Sequence, residues 1–191
     1  MLPAGLAIVG LSEKAMRAVE HATLPRTFFD VRDMAKGYAA NAFPYTPPVG
    51  LMNGLKLSLQ MIEAEGLENV FARHTRIAQG VRLAVKAWGL ELCAVSPDAY
   101  SDSVSAIKTP AGFDATEIVN VAARDYGMAF GVGLGEVAGK VFRIGHLGML
   151  TDAMMLSGLA VAEMVMVDLG LDITLGSGVA VAQSHYRHGG A

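Results

Sequence analysis

Residues 139–148 read GKVFRIGHLG and place Arg143 inside a short apolar run. The run has the length and composition of a buried strand, where an arginine is rarely found without a partner. The nearest carboxylates along the chain, Glu136 and Asp152, lie outside the run. Two interpretations therefore stay open. Arg143 either pairs with an acid that is distant in sequence or binds a ligand's carboxylate through its planar guanidinium fork.

Helical and strand-like segments alternate on both sides of this run. Asp114 and Thr151 stand where they would cap the starts of two helices, and Gly127 stands where the first of these helices would end. Four segments are typical of strands: LELCAV (90–95), SVSAIKTP (103–110), MAFGVG (128–133) and KVFRIG (140–145). The order of segments after Gly66 predicts an α/β chain whose later part is a small antiparallel sheet with helices on one face.

The chain is predicted to have three parts. Residues 1–66 contain one strand-like run and two or three helices, too few elements to close a core, so we interpret them as the C-terminal remnant of a larger domain. Residues 67–170 form the small α+β domain. Residues 171–191 are rich in glycine and small side chains and are predicted to be a loose tail.

Composition narrows the classes of partner. The chain of 191 residues has a formal net charge of -3 and no basic run, which argues against nucleic acid and anionic membranes. Its single cysteine, Cys93, lies in an apolar run and is predicted to be an inert core residue. The most apolar late segment contains Glu163 and Asp168, so we predict a buried helix rather than a membrane span, and a cytoplasmic protein.

Several weaker patterns were weighed against simpler interpretations. The stretch GVGLGEVAG (131–139) contains part of a dinucleotide-binding fingerprint but runs into a strand, so it predicts a tight or flexible loop beside a site. His185 and His188 have no companion cysteine or carboxylate, and no metal site is predicted. His146 either lines a pocket or is a structural histidine with satisfied hydrogen bonds.

A second candidate site lies in FPYTPP, residues 43–48. The Thr46 hydroxyl precedes a predicted helix whose first turn suits Pro47 and Pro48. A hydroxyl beside the free N–H groups of a helix start can bind a phosphate. Ordinary capping by Thr46 explains the same pattern, and both interpretations stay open.

Together these stretches resemble a known family. FPYTPP, GLENVFARHTRIAQGVR (66–82) and GLG…GKVFRIGHLG (133–148) resemble the C-terminal half of class V, fold-type I pyridoxal-phosphate aminotransferases, in the serine–glyoxylate and alanine–glyoxylate branch. The resemblance runs in order from Met1 to about Gly170, and the tail segment GSGVAVAQ also resembles the serine–glyoxylate enzymes.

The resemblance implies roles for particular residues. Arg143 would hold the α-carboxylate of a small amino or oxo acid. Thr46, with Tyr45 nearby, would bind the phosphate of pyridoxal 5'-phosphate held by the neighbouring subunit of a homodimer. The alanine–glyoxylate branch has a phosphate-binding tyrosine three residues before this threonine, where this chain has Phe43.

The resemblance also places one essential residue elsewhere. The family's Schiff-base lysine stands in an S-x-K-G-L-like block before a proline–glycine turn, which MLPAG at the start of this chain matches. None of the chain's six lysines stands in such a block, so the lysine is expected upstream of Met1 and no catalytic residue is assigned here.

The expected function is the C-terminal part of an enzyme that transfers an amino group from serine or alanine to glyoxylate, inactive by itself. Two alternatives remain. One is a non-catalytic module for oxo-acid binding or dimerisation. The other is a fragment of a class V lyase, which would need a cysteine on a mobile loop, whereas Cys93 is predicted in a strand.

Overall fold

The run around Arg143 is the central strand of an antiparallel sheet in the computed structural model, which describes residues 2–188. Strand β1 is Val104–Lys108, β2 is Gly131–Val132 and β3 is Val141–Gly145, in the spatial order β1-β3-β2. This confirms the predicted small antiparallel sheet.

Helices account for most of the remaining regular structure. They are α1 Glu13–Glu20, α2 Val31–Ala39, α3 Val49–Glu65, α4 Leu67–Ala87, α5 Ala115–Tyr126, α6 Asp152–Asp168 and α7 Ser177–His188. The predicted caps are confirmed: Asp114 accepts from the Thr116 N–H at 2.9 Å, and Thr151 accepts from the Met154 N–H at 3.3 Å. Gly127 ends α5 with a φ of 63°.

The chain divides into two compact units, Met1–Ala64 and Glu65–Ala191. In the second unit one face of the sheet packs on α4 and α5, with α6 behind them. Side chains alternate along the strands, so that Ile107, Phe142 and Ile144 are buried on this face. Each such side chain contributes roughly 1.5–3 kcal/mol on burial. The sheet that holds Arg143 therefore rests on a packed core.

Two strand-like runs differ from expectation. The run LELCAV forms a single bridge to β1, between Leu92 and Ile107, and the adjacent Cys93 N–H donates to the Ala106 carbonyl at 2.8 Å. The chain turns away at once into the short 3-10 helix Pro97–Ala99, so the run does not continue as a strand. The strand-like run near the N-terminus, residues 6–11, has no regular structure.

The predicted loose tail is wrong for most of its length. Helix α7 packs on α4 and α6, and Tyr186 is buried there with its hydroxyl donating to the Ile77 carbonyl at 2.9 Å. One of the glycines that suggested a loose segment is needed for close approach instead, because a Cβ at Gly178 would collide with the Trp88 indole. Residues 189–191 of the predicted tail lie outside the described residues.

The first unit is organised differently. Among its described residues only two side chains are buried, Asp30 and Ser58, and neither is apolar. Asp30 caps α2 by accepting from the Arg32 N–H at 2.9 Å, and its hydrogen bonds to Arg32 hold the pKa of its carboxyl well below the usual range. Large apolar side chains such as Ile8 (83% exposed) and Phe29 (75% exposed) remain open.

No helix in the described part of the chain is both long enough and apolar enough to cross a membrane.

Candidate functional site

Arg143 lies half-buried on the central strand, between small residues of both neighbouring strands. Its register partners are Ala106 on β1 and Gly131 on β2. Its Nε–H donates to the Val132 carbonyl at 2.8 Å. No carboxylate within residues 2–188 forms an ion pair with Arg143. The distant acid that the sequence left open as a partner is therefore not found.

The other arginines show how unusual this is. Those that form ion pairs with carboxylates are Arg17, Arg26, Arg32, Arg73, Arg76, Arg82 and Arg124. Within the described residues only Arg143 and the exposed Arg187 have no carboxylate partner, and of these two only Arg143 is half-buried. Partial burial raises the cost of an unpaired charge, so a half-buried guanidinium without a carboxylate partner is suited to binding an external anion.

The glycine-rich segment between β2 and β3 forms a tight loop beside Arg143. It contains one short 3-10 turn, Gly135–Val137, and no α-helix, so it does not have the strand-to-helix geometry of a dinucleotide site. Gly133 is needed because a Cβ there would meet the Val137 carbonyl group. Gly135 and Gly139 have φ of 55° and 69°, values that favour glycine.

His146, three residues after Arg143, is a structural histidine. It is fully buried, its Nδ1–H donates to the Asp102 carbonyl at 3.0 Å, and its Nε2 lies 3.0 Å from the Ser105 hydroxyl. Burial is the main influence on this ring and lowers its pKa. The interpretation of His146 as a satisfied core residue is confirmed, and it does not face a ligand.

Two side chains of α4 hold the segment that follows Arg143. The Gly148 N–H donates to His74 Nε2 at 3.0 Å, and Arg73 donates to the Gly148 carbonyl at 2.7 Å. His74 keeps the tautomer this requires by donating from Nδ1 to the Val70 carbonyl at 2.7 Å. The sequence did not predict these contacts, although Arg73 and His74 lie in the stretch 66–82 and Gly148 lies in the stretch 139–148, both of which carry the family resemblance.

Thr46 lies in the first unit and is exposed. Within the described residues its hydroxyl has no hydrogen-bond partner, so it does not act as an ordinary helix cap. Helix α3 begins just after it, at Val49, and has no acidic residue in its first turn. The Val49 N–H donates to the Pro47 carbonyl at 2.9 Å, so the first-turn donors left beside this hydroxyl are the N–H groups of Gly50 and Leu51. A free hydroxyl together with such donors fits the donor set that a phosphate requires.

Two aromatic residues, Phe43 and Tyr45, precede this threonine and have different surroundings. The Tyr45 ring stacks on Phe28, with ring centroids 4.5 Å apart and planes inclined at 26°. Phe28 has a φ of 71°, an uncommon value for a non-glycine residue. Phe43 is exposed and offers no hydroxyl. The stack fixes the position of the residue that precedes Thr46.

The remaining candidate residues, Cys93 and the two late histidines, do not form a further catalytic or metal site within the described residues. Cys93 is half-buried beside β1. The described residues contain no group of three or more side chains placed to hold a metal ion. His185 donates from Nε2 to the Arg76 carbonyl at 3.0 Å, while the side chain of His188 lies outside the described residues.

Comparisons with known proteins match nearly the whole chain. It is 74% identical over 187 residues to the L-aspartate–glyoxylate aminotransferase of Paracoccus denitrificans, covering 98% of this chain and 47% of that protein. It is 50% identical over 188 residues to the serine–glyoxylate aminotransferase of Hyphomicrobium methylovorum, covering 97% and 46%. The chain spans about half the length of the curated relatives it matches. No family model matches the chain.

A solved structure agrees in both fold and sequence. The pyridoxamine–pyruvate aminotransferase of Mesorhizobium loti superposes with a TM-score of 0.83 at 32% identity, covering 93% of this chain and 46% of that one. The chain therefore has the fold found in about half the length of that aminotransferase.

Proposed function

Because this chain belongs to the class V aminotransferases, in the branch of the serine–glyoxylate and alanine–glyoxylate enzymes, we propose that it supplies two binding sites of a glyoxylate aminotransferase. One site binds the carboxylate of the substrate and the other binds the phosphate of the cofactor. The observation that supports this function is Arg143, half-buried on a strand with no carboxylate partner among the described residues.

Arg143 would hold the α-carboxylate of both the amino donor and glyoxylate. Each substrate of such a reaction has one carboxylate next to the reacting carbon, so one fixed guanidinium can orient both of them in turn. The sheet restricts the position of this guanidinium more firmly than a loop would. Its paired hydrogen bonds to a carboxylate are stronger than those between neutral groups.

Thr46 would bind the phosphate of pyridoxal 5'-phosphate, together with the first-turn N–H groups of α3. When bound, this cofactor supplies the electron sink that lets an amino group leave one carbon skeleton and join another. We propose that Thr46 reaches the cofactor of the partner subunit in a homodimer, with the Tyr45 stack keeping the threonine in place. Because Phe43 has no hydroxyl, the side-chain donors of residues 43–48 are the hydroxyls of Tyr45 and Thr46.

The amino donor is proposed to be serine or alanine, with aspartate added by the comparison. The relative at 74% identity is named for L-aspartate and glyoxylate, whereas the relative at 50% identity is named for serine and glyoxylate. Glyoxylate is the substrate named in both. We therefore propose glyoxylate as the acceptor and place the choice of donor among these three amino acids.

The decisive experiment uses a chimera in which this chain replaces the matching segment of the Paracoccus denitrificans enzyme. We expect the chimera to convert glyoxylate to glycine, and Arg143→Ala to raise KM for glyoxylate on the order of 100-fold through loss of the bidentate contact. The matched control is Arg124→Ala, which removes an exposed arginine of α5 that pairs with Asp125. Wild-type kcat/KM in Arg143→Ala would refute the proposal.

The 191-residue chain alone is expected to show no turnover, because none of its lysines stands in the family's cofactor-binding block. The unpaired guanidinium of Arg143 would also serve one alternative, a module that binds an oxo acid without chemistry. An inactive chimera whose glyoxylate binding is lost in Arg143→Ala would support that alternative.

A further inference from the structure

The side chain of Arg143 lies directly over a glycine of the neighbouring strand. Gly131 is its register partner, and a Cβ built on Gly131 would lie 3.1 Å from Arg143 Nε, 3.2 Å from its Cβ and 3.4 Å from Nη2. Gly131 does not have a positive φ, so its backbone would accept any residue. A side chain at this position would instead be crowded by the Arg143 side chain, which would have to shift by a few tenths of an ångström.

The carbonyl of Val132, the residue after Gly131, accepts a hydrogen bond from one edge of the guanidinium. Arg143 Nε–H donates to the Val132 carbonyl at 2.8 Å. An arginine can bind a carboxylate side-on, through Nε and Nη2, or end-on, through Nη1 and Nη2. Since Nε is already occupied, only the end-on edge keeps two parallel N–H groups for a ligand.

The end of β2, which carries this carbonyl, has little freedom to move. The Gly133 N–H donates to the Val141 carbonyl at 3.0 Å, and the lack of a side chain at Gly133 lets the Val137 carbonyl approach closely. On the other side of β3 the facing residue is Ala106, whose small side chain leaves the sheet surface beside the guanidinium open. The position of the Val132 carbonyl is therefore fixed by the hairpin.

We propose that Gly131 and the Val132 carbonyl are positioning elements that commit Arg143 to end-on binding of the substrate carboxylate. Gly131 provides room for the side chain to lie flat on β2, and the carbonyl sets its rotation. This inference rests on the proposed function, because it needs Arg143 to be the carboxylate anchor. Under this proposal the Nη1–Nη2 edge of the guanidinium binds the substrate carboxylate, and Gly131 with the Val132 carbonyl determines that choice.

The test follows the Arg143 Nε–H signal by NMR in the ¹⁵N-labelled 191-residue chain while glyoxylate is titrated. The signal is assigned by its loss in Arg143→Ala. In the wild type we expect slow solvent exchange of this proton, because it is hydrogen-bonded, and little change in its shift on binding. In Gly131→Ala the new Cβ displaces the side chain, so the proton should exchange faster and glyoxylate should bind about tenfold more weakly.

A matched control separates this effect from a general cost of adding a methyl group. Gly158→Ala in α6 places its Cβ where, apart from its chain neighbours and the backbone of its own helix, no atom lies within 4 Å, and we expect wild-type binding and a wild-type Nε–H signal. If Arg143→Ala abolishes binding while Gly131→Ala binds as the wild type does, the inference is wrong and the proposed function stands. If Arg143→Ala binds normally, the proposed anchor and this inference both fail.

Discussion

At the scale of single residues, the described contacts assign different roles to Arg143 and His146, which lie three positions apart. Arg143 keeps its end-on N–H groups free, whereas His146 has both ring nitrogens in hydrogen bonds and no exposure. Alternation along β3 places Arg143 on the side of the sheet opposite to the buried Phe142 and Ile144, whereas His146 lies one residue beyond the end of the strand. Exposure and partners, more than residue type, separate a candidate binding group from a structural one.

The buried His146 should make stability depend on pH. Burial lowers its folded-state pKa below the ordinary 6.5, so the unfolded chain binds more protons just below that pH. The contribution of the neutral His146 ring to stability is fully present above pH 6.5 and is lost as the pH falls from 6.5 towards the lowered pKa. The loss amounts to about 1.4 kcal/mol for each unit between the unfolded-state and folded-state pKa. Urea unfolding between pH 5 and 7, spanning the ordinary pKa, measures it.

Two variants isolate the contribution of this ring. His146→Asn keeps a donor for the Asp102 carbonyl but does not titrate, so it should lower stability and flatten the slope in this interval. The control His21→Asn changes an exposed ring and should keep the wild-type slope. An unchanged slope in His146→Asn would contradict the assignment.

Thr46 offers a second residue-scale prediction. In the chimera, Thr46→Ala should weaken the affinity for pyridoxal phosphate by about 1–3 kcal/mol, because one donor to a charged phosphate is lost. Thr46→Ser keeps the hydroxyl and should bind nearly as the wild type does. Titration of the cofactor-free chimera with pyridoxal phosphate measures both, and equal affinities for wild type and Thr46→Ala would remove Thr46 from the site.

At the scale of elements, helix α7 depends on a carboxylate of α6. Glu163 is buried and accepts from four N–H groups: Trp88 Nε1 at 2.9 Å, and the backbone N–H of Gly176, Gly178 and Val179 at 2.5, 2.6 and 3.1 Å. Three of these lie at the start of α7, where N–H groups have no intrahelical partner. Glu163 therefore caps a helix that lies far from it in sequence.

Glu163→Gln should destabilise the second unit by roughly 2 kcal/mol, because the new amide NH₂ would face an N–H donor and leave it unsatisfied. Trp88 is the chain's single tryptophan, so its fluorescence should report the loosening of α7 during urea unfolding. The exposed Glu136→Gln is the control, with an expected change within about 0.5 kcal/mol. Equal midpoints for both variants would argue against the cap.

At the scale of the whole molecule, the two units differ in what stabilises them. The described part of Glu65–Ala191 contains a continuous apolar core, whereas that of Met1–Ala64 buries no apolar side chain. Burial of apolar surface is the main favourable term in folding, so the first unit has little of it within its own residues. We expect the two units to respond very differently to a protease.

Limited proteolysis of the 191-residue chain should cut first within residues 1–64 and leave a resistant product that begins near Glu65. Mass spectrometry of the products identifies the cut sites. Cleavage within α4, α5 or α6 at the same rate as within the first unit would contradict this expectation. In the chimera the first unit should become protected, because the other half of the enzyme is expected to cover its apolar side chains.

The sequence by itself determined the local features. The caps Asp114 and Thr151, the end of α5 at Gly127 and the strand around Arg143 were all predictable, because each depends on residues within a few positions of one another. The sequence blocks also indicated the family. The same reasoning failed for the tail, because a loose segment and a closely packed helix can both be rich in glycine and small residues.

Only the tertiary structure decided which distant groups meet. Three such pairings follow from strand register and helix packing: Glu163 caps α7, His74 holds Gly148, and Arg143 lies over Gly131 with no carboxylate partner within residues 2–188. No pattern within a short window contains these pairings, because the partners are separated by many residues and are brought together by the burial of the shared core. The sequence thus identified Arg143 as exceptional, and the packing of three strands decided which of its N–H groups remain free.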